Sequence, residues 1–173
     1  KVRAIELARK FAAAKMDLVI PIGTSAAVVA ANEIKDIPIV FVMVWDPVGS
    51  KIADDWKSSG NNTTGASSKT PASKLLGVLK ELAAVKKVAV LYTSGERNSE
   101  IQVKEFQAEQ GNLNIKIVPV SLSNSEEVAS ILPEIVRTVE AICLAGSSII
   151  GDNLPAIVDM ANKAKVITAS QSE

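Results

Sequence analysis

Short apolar runs alternate along the chain with segments whose apolar residues recur at helical spacing, so the pattern predicts strands and helices in turn. The longest run, residues 38–44, holds seven apolar residues in a row and is rich in β-branched types. It predicts a strand buried on both faces, as in a parallel sheet. The run stops at Trp45-Asp46-Pro47, where an acid beside a large aromatic follows the strand's carboxyl end. Ahead of it, residues 1–11 predict an amphipathic helix with Ala4, Leu7, Ala8 and Phe11 on one face. Residues 18–22 predict a short strand in which Pro21 is awkward unless its missing donor is not needed. Gly23 then permits a tight turn, and Thr24 or Ser25 can cap a helix over residues 26–34.

Beyond Pro47 the texture changes. Residues 48–59 predict a short helix carrying Trp56. Residues 58–68 are polar turn formers and read as a loop, the best place for a boundary between two lobes, 1–66 and 67–173. Asn61 and Asn62 both fit N-x-[ST] sequons, although a plain loop explains the same residues. The next helix is expected to open with Thr70 as N-cap and Pro71 at its first position, with Leu75, Leu76, Leu79 and Leu82 as its core stripe.

Strands follow at residues 87–92, 115–120, 141–145 and 166–168. Between them lies a helix through Ile101, Val103 and Phe106, expected to end at a cap on Gly111. Ser123 and Glu126 have capping-box spacing ahead of a helix that Pro133 should kink or interrupt. Asn153 and Pro155 open a helix over residues 156–163.

This alternation implies an α/β fold with parallel sheets and right-handed crossovers. Parallel strands put their following turns on one edge, and ligands of open α/β sheets bind there. Polar residues gather in those turns: Thr24 and Ser25, Asp46, residues 93–99, Ser121 and Ser123, Ser147 and Ser148, and Ser170 to Ser172. They describe a binding site of hydroxyls, one acid and a few aromatics, with no obvious catalytic equipment. Asp46 offers a ligand ammonium a partner. It also fits a capped turn fixed by Pro47, and spacing alone favours the cap. As a phosphate loop, Gly23-Thr24-Ser25 lacks both glycine-rich fingerprints.

Composition removes several classes. Hydrophobic residues make up 47%, enough for a real core. A net charge of +0 without a clustered basic face argues against a nucleic-acid partner. Histidine is absent, which excludes a His-dependent triad. The single cysteine, Cys143, lies in an apolar run, so neither a disulfide framework nor a zinc site is expected, and no cofactor. No segment approaches the roughly 18 consecutive apolar residues of a membrane helix. Residues 1–11 begin as a helix without a cap or preceding strand. The chain is therefore expected to start partway through a fold, with any targeting sequence upstream.

Several pieces, in this order and spacing, match something known. They are Asp17-Leu-Val-Ile-Pro-Ile-Gly-Thr24 with its Ala-rich helix, Ile37-Pro-Ile-Val-Phe41 leading to Asp46-Pro-Val-Gly49, and Gly60-Asn-Asn-Thr-Thr-Gly65. Val90-Leu-Tyr92, Asn98-Ser99 and Asn162-Lys-Ala-Lys165 follow. Together they make the whole chain resemble the ABC-transporter substrate-binding family that includes tryptophan- and tyrosine-binding proteins. The resemblance implies a type I periplasmic-binding fold of two parallel-sheet lobes, with lobe one expected to be incomplete here. It implies the extracytoplasmic solute-binding component of an ABC importer, periplasmic or lipid-anchored, partnered by membrane permease subunits. A small ligand, an amino acid with an aromatic one among the options, would be held in a cleft between the lobes.

In that picture Gly23, Thr24, Ser25, Trp45 and Asp46 face the ligand from lobe one, and Thr64 and Gly65 approach the crossing between lobes. Tyr92, Ser94, Asn98, Ser99, Ser147, Ser148 and Ser170 face it from lobe two. The family often carries an Asp-Asn-Thr turn where this chain has Gly146-Ser147-Ser148, which changes the charge offered to a ligand. A ligand-sensing domain of a regulator or receptor with the same fold is the alternative. An enzyme using Asp46 and Tyr92 as acid and base has no motif behind it.

Overall fold

The computed structural model describes residues 2–170. They form two compact units, one ending at Lys69 and the other beginning at Thr70.

In the first unit, helices α1 (Val2–Ala13) and α2 (Thr24–Glu33) cover one face of a parallel pair, β1 (Ile39–Val44) and β2 (Thr63–Ser67). Ala8, Ala30, Ile34, Ile37 and Ile39 make one core cluster, and Ala27, Phe41, Val44 and Ile52 a second. The buried stripe of α1 runs through Ala8 and Ala12, whereas the expected face members Leu7 and Phe11 are exposed. Small residues are what let α1 approach α2 closely. An Arg9–Glu33 pair at 2.8 Å joins the two helices on the surface, where ion pairs add little stability.

The segment before α2 runs parallel beside β1 but does not complete a ladder. Val19 donates to the Pro38 carbonyl and accepts from Val40, Pro21 accepts from Val42, and Gly23 donates to Val42. The rung that a Pro21 N–H would supply is missing, so isolated bridges at Val19 and Ile22 replace the expected strand. The donor was needed after all.

β1 is not buried on both faces. Ile39, Phe41 and Val44 point into the core, while Met43 is 63% exposed. Met43 also has φ +56°, within an irregularity where the register passes from Phe41 opposite Gly65 to Val44 opposite Ser67. This bulge turns the strand so that Val44 and Trp45 are both buried in succession.

Residues 48–59 form turns rather than the expected helix. Asp54 and Asp55 donate their N–H groups to Ser59 and Ser58, closing a small loop that carries Trp56 and Lys57 at its tip. Gly60, at φ +70°, lies under the Asp54 carboxylate, and its left-handed conformation is what disfavours a side chain there. The polar stretch 58–68 is not simply a loop, because β2 lies within it. Its entrance is tied by asparagines. Asn61 Nδ2 donates to the Ile52 carbonyl while its Oδ1 accepts the Thr63 N–H, and Asn62 Nδ2 donates to the carbonyls of Ile34 and Ile37.

The second unit opens with α3 (Ala72–Leu82), one residue later than expected, with Pro71 rather than Thr70 in the N-cap position. Its buried stripe is Ala72, Leu76 and Leu79, and Leu82 is exposed. Then come β3 (Lys87–Tyr92), α4 (Arg97–Ala108), α5 (Gln110–Leu113), β4 (Lys116–Ser121) and α6 (Ser125–Ile135). β5 (Ala141–Leu144), α7 (Ser148–Asp152), α8 (Leu154–Lys163) and β6 (Ile167–Ser170) complete the unit. The four strands are all parallel, in the order β4-β3-β5-β6. Both faces are covered: one core gathers around Leu76, Leu79, Val90 and Phe106, the other around Leu91, Leu132, Ile142 and Ile157. Double coverage is why β3 and β5 read as unbroken apolar runs.

Local punctuation differs from expectation at several points. Gly111 sits inside α5, and the left-handed cap is Asn114 at φ +51°. The capping box is shifted by one residue, since Asn124 accepts the Glu127 N–H and Glu127 reaches back to the Ser123 N–H. Helix α6 runs through Pro133 to Ile135 without interruption. Helix α7 has no counterpart in the sequence pattern, being only five residues long.

Candidate ligand-binding site

In the first unit three neighbouring chain segments end on the same edge and are stitched together by polar groups. Gly23, at φ +85°, is the N-cap of α2 and its Cα faces open space. Neither Thr24 nor Ser25 caps the helix; they are its first two residues. The buried Thr24 hydroxyl instead accepts the Trp45 N–H at 3.3 Å, while Ser25 is exposed. Trp45 is buried, its carbonyl accepting from Ser67 Oγ at 2.6 Å and its Nε1 finding no partner among the described residues.

Asp46 uses both carboxylate oxygens. Oδ1 accepts the Gly49 N–H at 2.7 Å, the turn cap that spacing favoured, and Oδ2 meets Lys69 Nζ at 3.1 Å. Lys69 Nζ also lies 5.9 Å from the centre of the Trp56 ring. Trp56 is 58% exposed. Lys69 follows β2, and its own N–H is held by Ser67 Oγ at 3.1 Å.

Thr64 and Gly65 stand apart from this group. They are within β2, paired with Val40 and Phe41, and line an open cavity of about 360 Å³ together with Phe41, Pro47, Trp56 and Ser67. Gly23, Thr24, Ser25, Trp45 and Asp46 do not line it.

The second unit has a topological switch point. From β3 the chain goes to β4 on one side and then returns to β5 on the other, so the turns after β3 and β5 diverge from neighbouring strand ends. Those turns carry most of the sequence-predicted residues. Tyr92, half-buried, ends β3, and Ser94 is exposed. Thr93 donates its N–H to Ser99 Oγ and its hydroxyl to Ser147 Oγ, both at 2.9 Å. Ser99 is 0% exposed, so its hydroxyl serves the turn from inside. Ser147 also caps α7 by accepting the Ile150 N–H. Asn98 Nδ2 donates to the Gly146 carbonyl, and Gln102 Oε1 accepts the Gly146 N–H at 2.8 Å. Glu96 accepts from both the N–H and the hydroxyl of Ser148. Ser170 is exposed at the end of β6, opposite Leu144, and Ser172 lies outside the described residues.

Sequence reasoning placed Glu96 in this turn without giving it a role, and missed Gln102 as part of the cluster. Gln102 was findable, because it stands four residues after Asn98 and so shares its helix face. Cys143, in β5, is buried, and desolvation pushes its thiol up to about 12, which leaves it protonated and unreactive. Among the described residues no cluster of metal-ligating side chains occurs, and no helix is long and apolar enough to cross a membrane.

Parallel α/β units whose polar groups collect at the strand ends define a binding protein of the type I periplasmic-binding fold. The chain belongs to the ABC transporter substrate binding protein family, which it matches over residues 1–173. It is 32% identical over 167 residues to a tyrosine-binding protein of Clostridioides difficile, covering 95% of this chain and 48% of that protein. A solved ABC domain in complex with L-Trp from Streptococcus pneumonia superposes with a TM-score of 0.89 at 29% identity, covering 98% of this chain and 58% of that one. A conserved domain protein from Vibrio cholerae gives 0.90 at 28% identity, covering 98% and 57% respectively. The chain thus spans about half the length of the relatives it matches.

Proposed function

We propose that this chain is part of the extracytoplasmic solute-binding component of an ABC importer, whose ligand is a small amino acid-like molecule, aromatic by preference. The observation that carries the reading is the family match along the whole chain, joined to strand-end turns rich in hydrogen-bonding groups in each unit. A tyrosine-binding relative and a neighbour holding L-Trp support the aromatic amino-acid class. Permease subunits in the membrane are the partner this role requires.

In this reading the two lobes correspond to residues 1–66 and 67–173. Gly23, Ser25, Asp46, Thr64 and Gly65 contribute from the first, with Trp45 as a buried wall and Thr24 holding it in place. Tyr92, Ser94, Asn98, Ser147, Ser148 and Ser170 contribute from the second, with Ser99 bracing the turn that presents them. The α2 amino end, whose first-turn N–H groups have no partner within the helix, suits a ligand carboxylate. Asp46 suits the ligand ammonium.

A thermal-shift screen of the full-length protein against amino acids, sugars and nucleosides tests the class. A rise in melting temperature with L-tyrosine or L-tryptophan is expected. Stabilisation by a sugar or nucleoside alone would overturn the amino-acid assignment.

A further inference from the structure

We propose that Lys69 is a specificity-determining residue that stands in for the ligand's cationic group, occupying Asp46 until a ligand ammonium displaces it. The inference rests on the proposed amino-acid reading of the site and names the event by which Asp46 becomes available. Asp46 has two oxygens with different tasks. Oδ1 is committed to the Gly49 N–H, a bond that fixes the turn after β1 and has nothing to do with a ligand. Oδ2 is committed to a side-chain ammonium, the same chemical group that an amino acid carries. The Asp46 side chain is only 13% exposed and that of Lys69 30%, so the pair is sheltered yet reachable.

Another neighbour of Lys69 fits an exchangeable position. Its Nζ lies over the Trp56 ring at 5.9 Å, and Trp56 sits at the tip of a two-bond loop. An aromatic face and a carboxylate together make a general ammonium receptor, because one supplies a quadrupole and the other a charge. A lysine on a flexible stem fills such a receptor without locking it. An incoming ammonium takes over the Asp46 contact, and Lys69 swings away from Trp56. Uncharged or deaminated compounds gain nothing from the exchange, since they leave Lys69 where it is. The pair therefore selects for amines while holding Asp46 satisfied in their absence.

The test uses the full-length protein, L-tryptophan and L-tyrosine as probes, and 3-(indol-3-yl)propanoate as the deaminated control, read by calorimetry. Lys69→Met removes the competitor and is expected to tighten binding of the amino acids by roughly two- to fivefold, the range of a partly exposed ion pair. Lys69→Arg, which can grip the carboxylate with two bonds, is expected to weaken it. Binding of the deaminated control is expected to be unchanged in both. Weaker amino-acid binding in Lys69→Met, or a parallel loss for the deaminated control, would overturn the proposal and make Lys69 a ligand or structural contact. Equal affinities across the three proteins would overturn it as well. Failure of the unsubstituted protein to bind either amino acid is a different result, because it removes the proposed function itself. Melting curves of each variant confirm that it folds.

Discussion

Gly65 on β2 lies hard against Phe41 on β1: a Cβ at residue 65 would come 2.0 Å from the Phe41 carbonyl oxygen and 2.6 Å from its ring. The constraint comes from close approach of two strands at the point where their register shifts. Gly65→Ala is expected to force the strands apart and cost about 1–3 kcal/mol. A lower urea midpoint with an unchanged slope would show it. A parental midpoint would mean that the strands separate freely.

Gln102 is 3% exposed and its amide oxygen holds the Gly146 N–H after β5. Gln102→Ala leaves that N–H without its acceptor, at an expected cost of about 1–3 kcal/mol. The same change should weaken any ligand held by Ser147 and Ser148, because the turn that presents them is loosened. Denaturation and calorimetry on one preparation measure both; full stability would refute the brace.

Met43 tests the bulge in β1. Its side chain is exposed, so Met43→Gly removes little packing and relieves a left-handed φ worth about 1 kcal/mol. Glycine's larger unfolded-state entropy offsets most of that gain, about 0.5–1 kcal/mol. Near-neutral stability is expected for Met43→Gly and a loss of roughly 1–3 kcal/mol for Met43→Val, whose branched Cβ resists this conformation. Chemical denaturation of the two variants side by side decides it, and equal midpoints would remove the strain argument.

Cys143 carries a pH prediction. Burial raises its thiol from the ordinary 9.0 to about 12. The folded state therefore keeps its proton while the unfolded state loses it, so this residue's contribution is intact below pH 9 and erodes as pH rises toward 12. Comparing Cys143→Ala with the parent across pH 8 to 11 isolates the term: the parent should lose more stability with rising pH. A native thiol that reacts promptly with a thiol reagent at pH 8 would contradict the burial.

Much of the second unit was legible because its strands are covered on both faces, which makes β3 and β5 unbroken apolar runs. The first unit was harder. β2 reads Thr-Thr-Gly-Ala-Ser, four of its five residues are exposed, and its place is fixed by asparagine side chains that no periodicity reveals. Pro21 was flagged correctly as a problem, but which ladder bond it would break depends on a partner strand distant in sequence. At the site, the turn cap on Asp46 was visible in the spacing. Its second partner was not, because Lys69 lies 23 residues away beyond a strand that the sequence concealed.

The inward asparagines have a practical side. Both Asn61 and Asn62 lie in sequons, yet the Asn62 amide is spent on two backbone carbonyls and that of Asn61 on one. Oligosaccharyl transfer acts on nascent chain before such bonds form. A eukaryotic secretion host would thus attach sugar to a nitrogen that β2 needs for docking, and the product would emerge misassembled, whereas a bacterial host leaves the amide free to close the sheet.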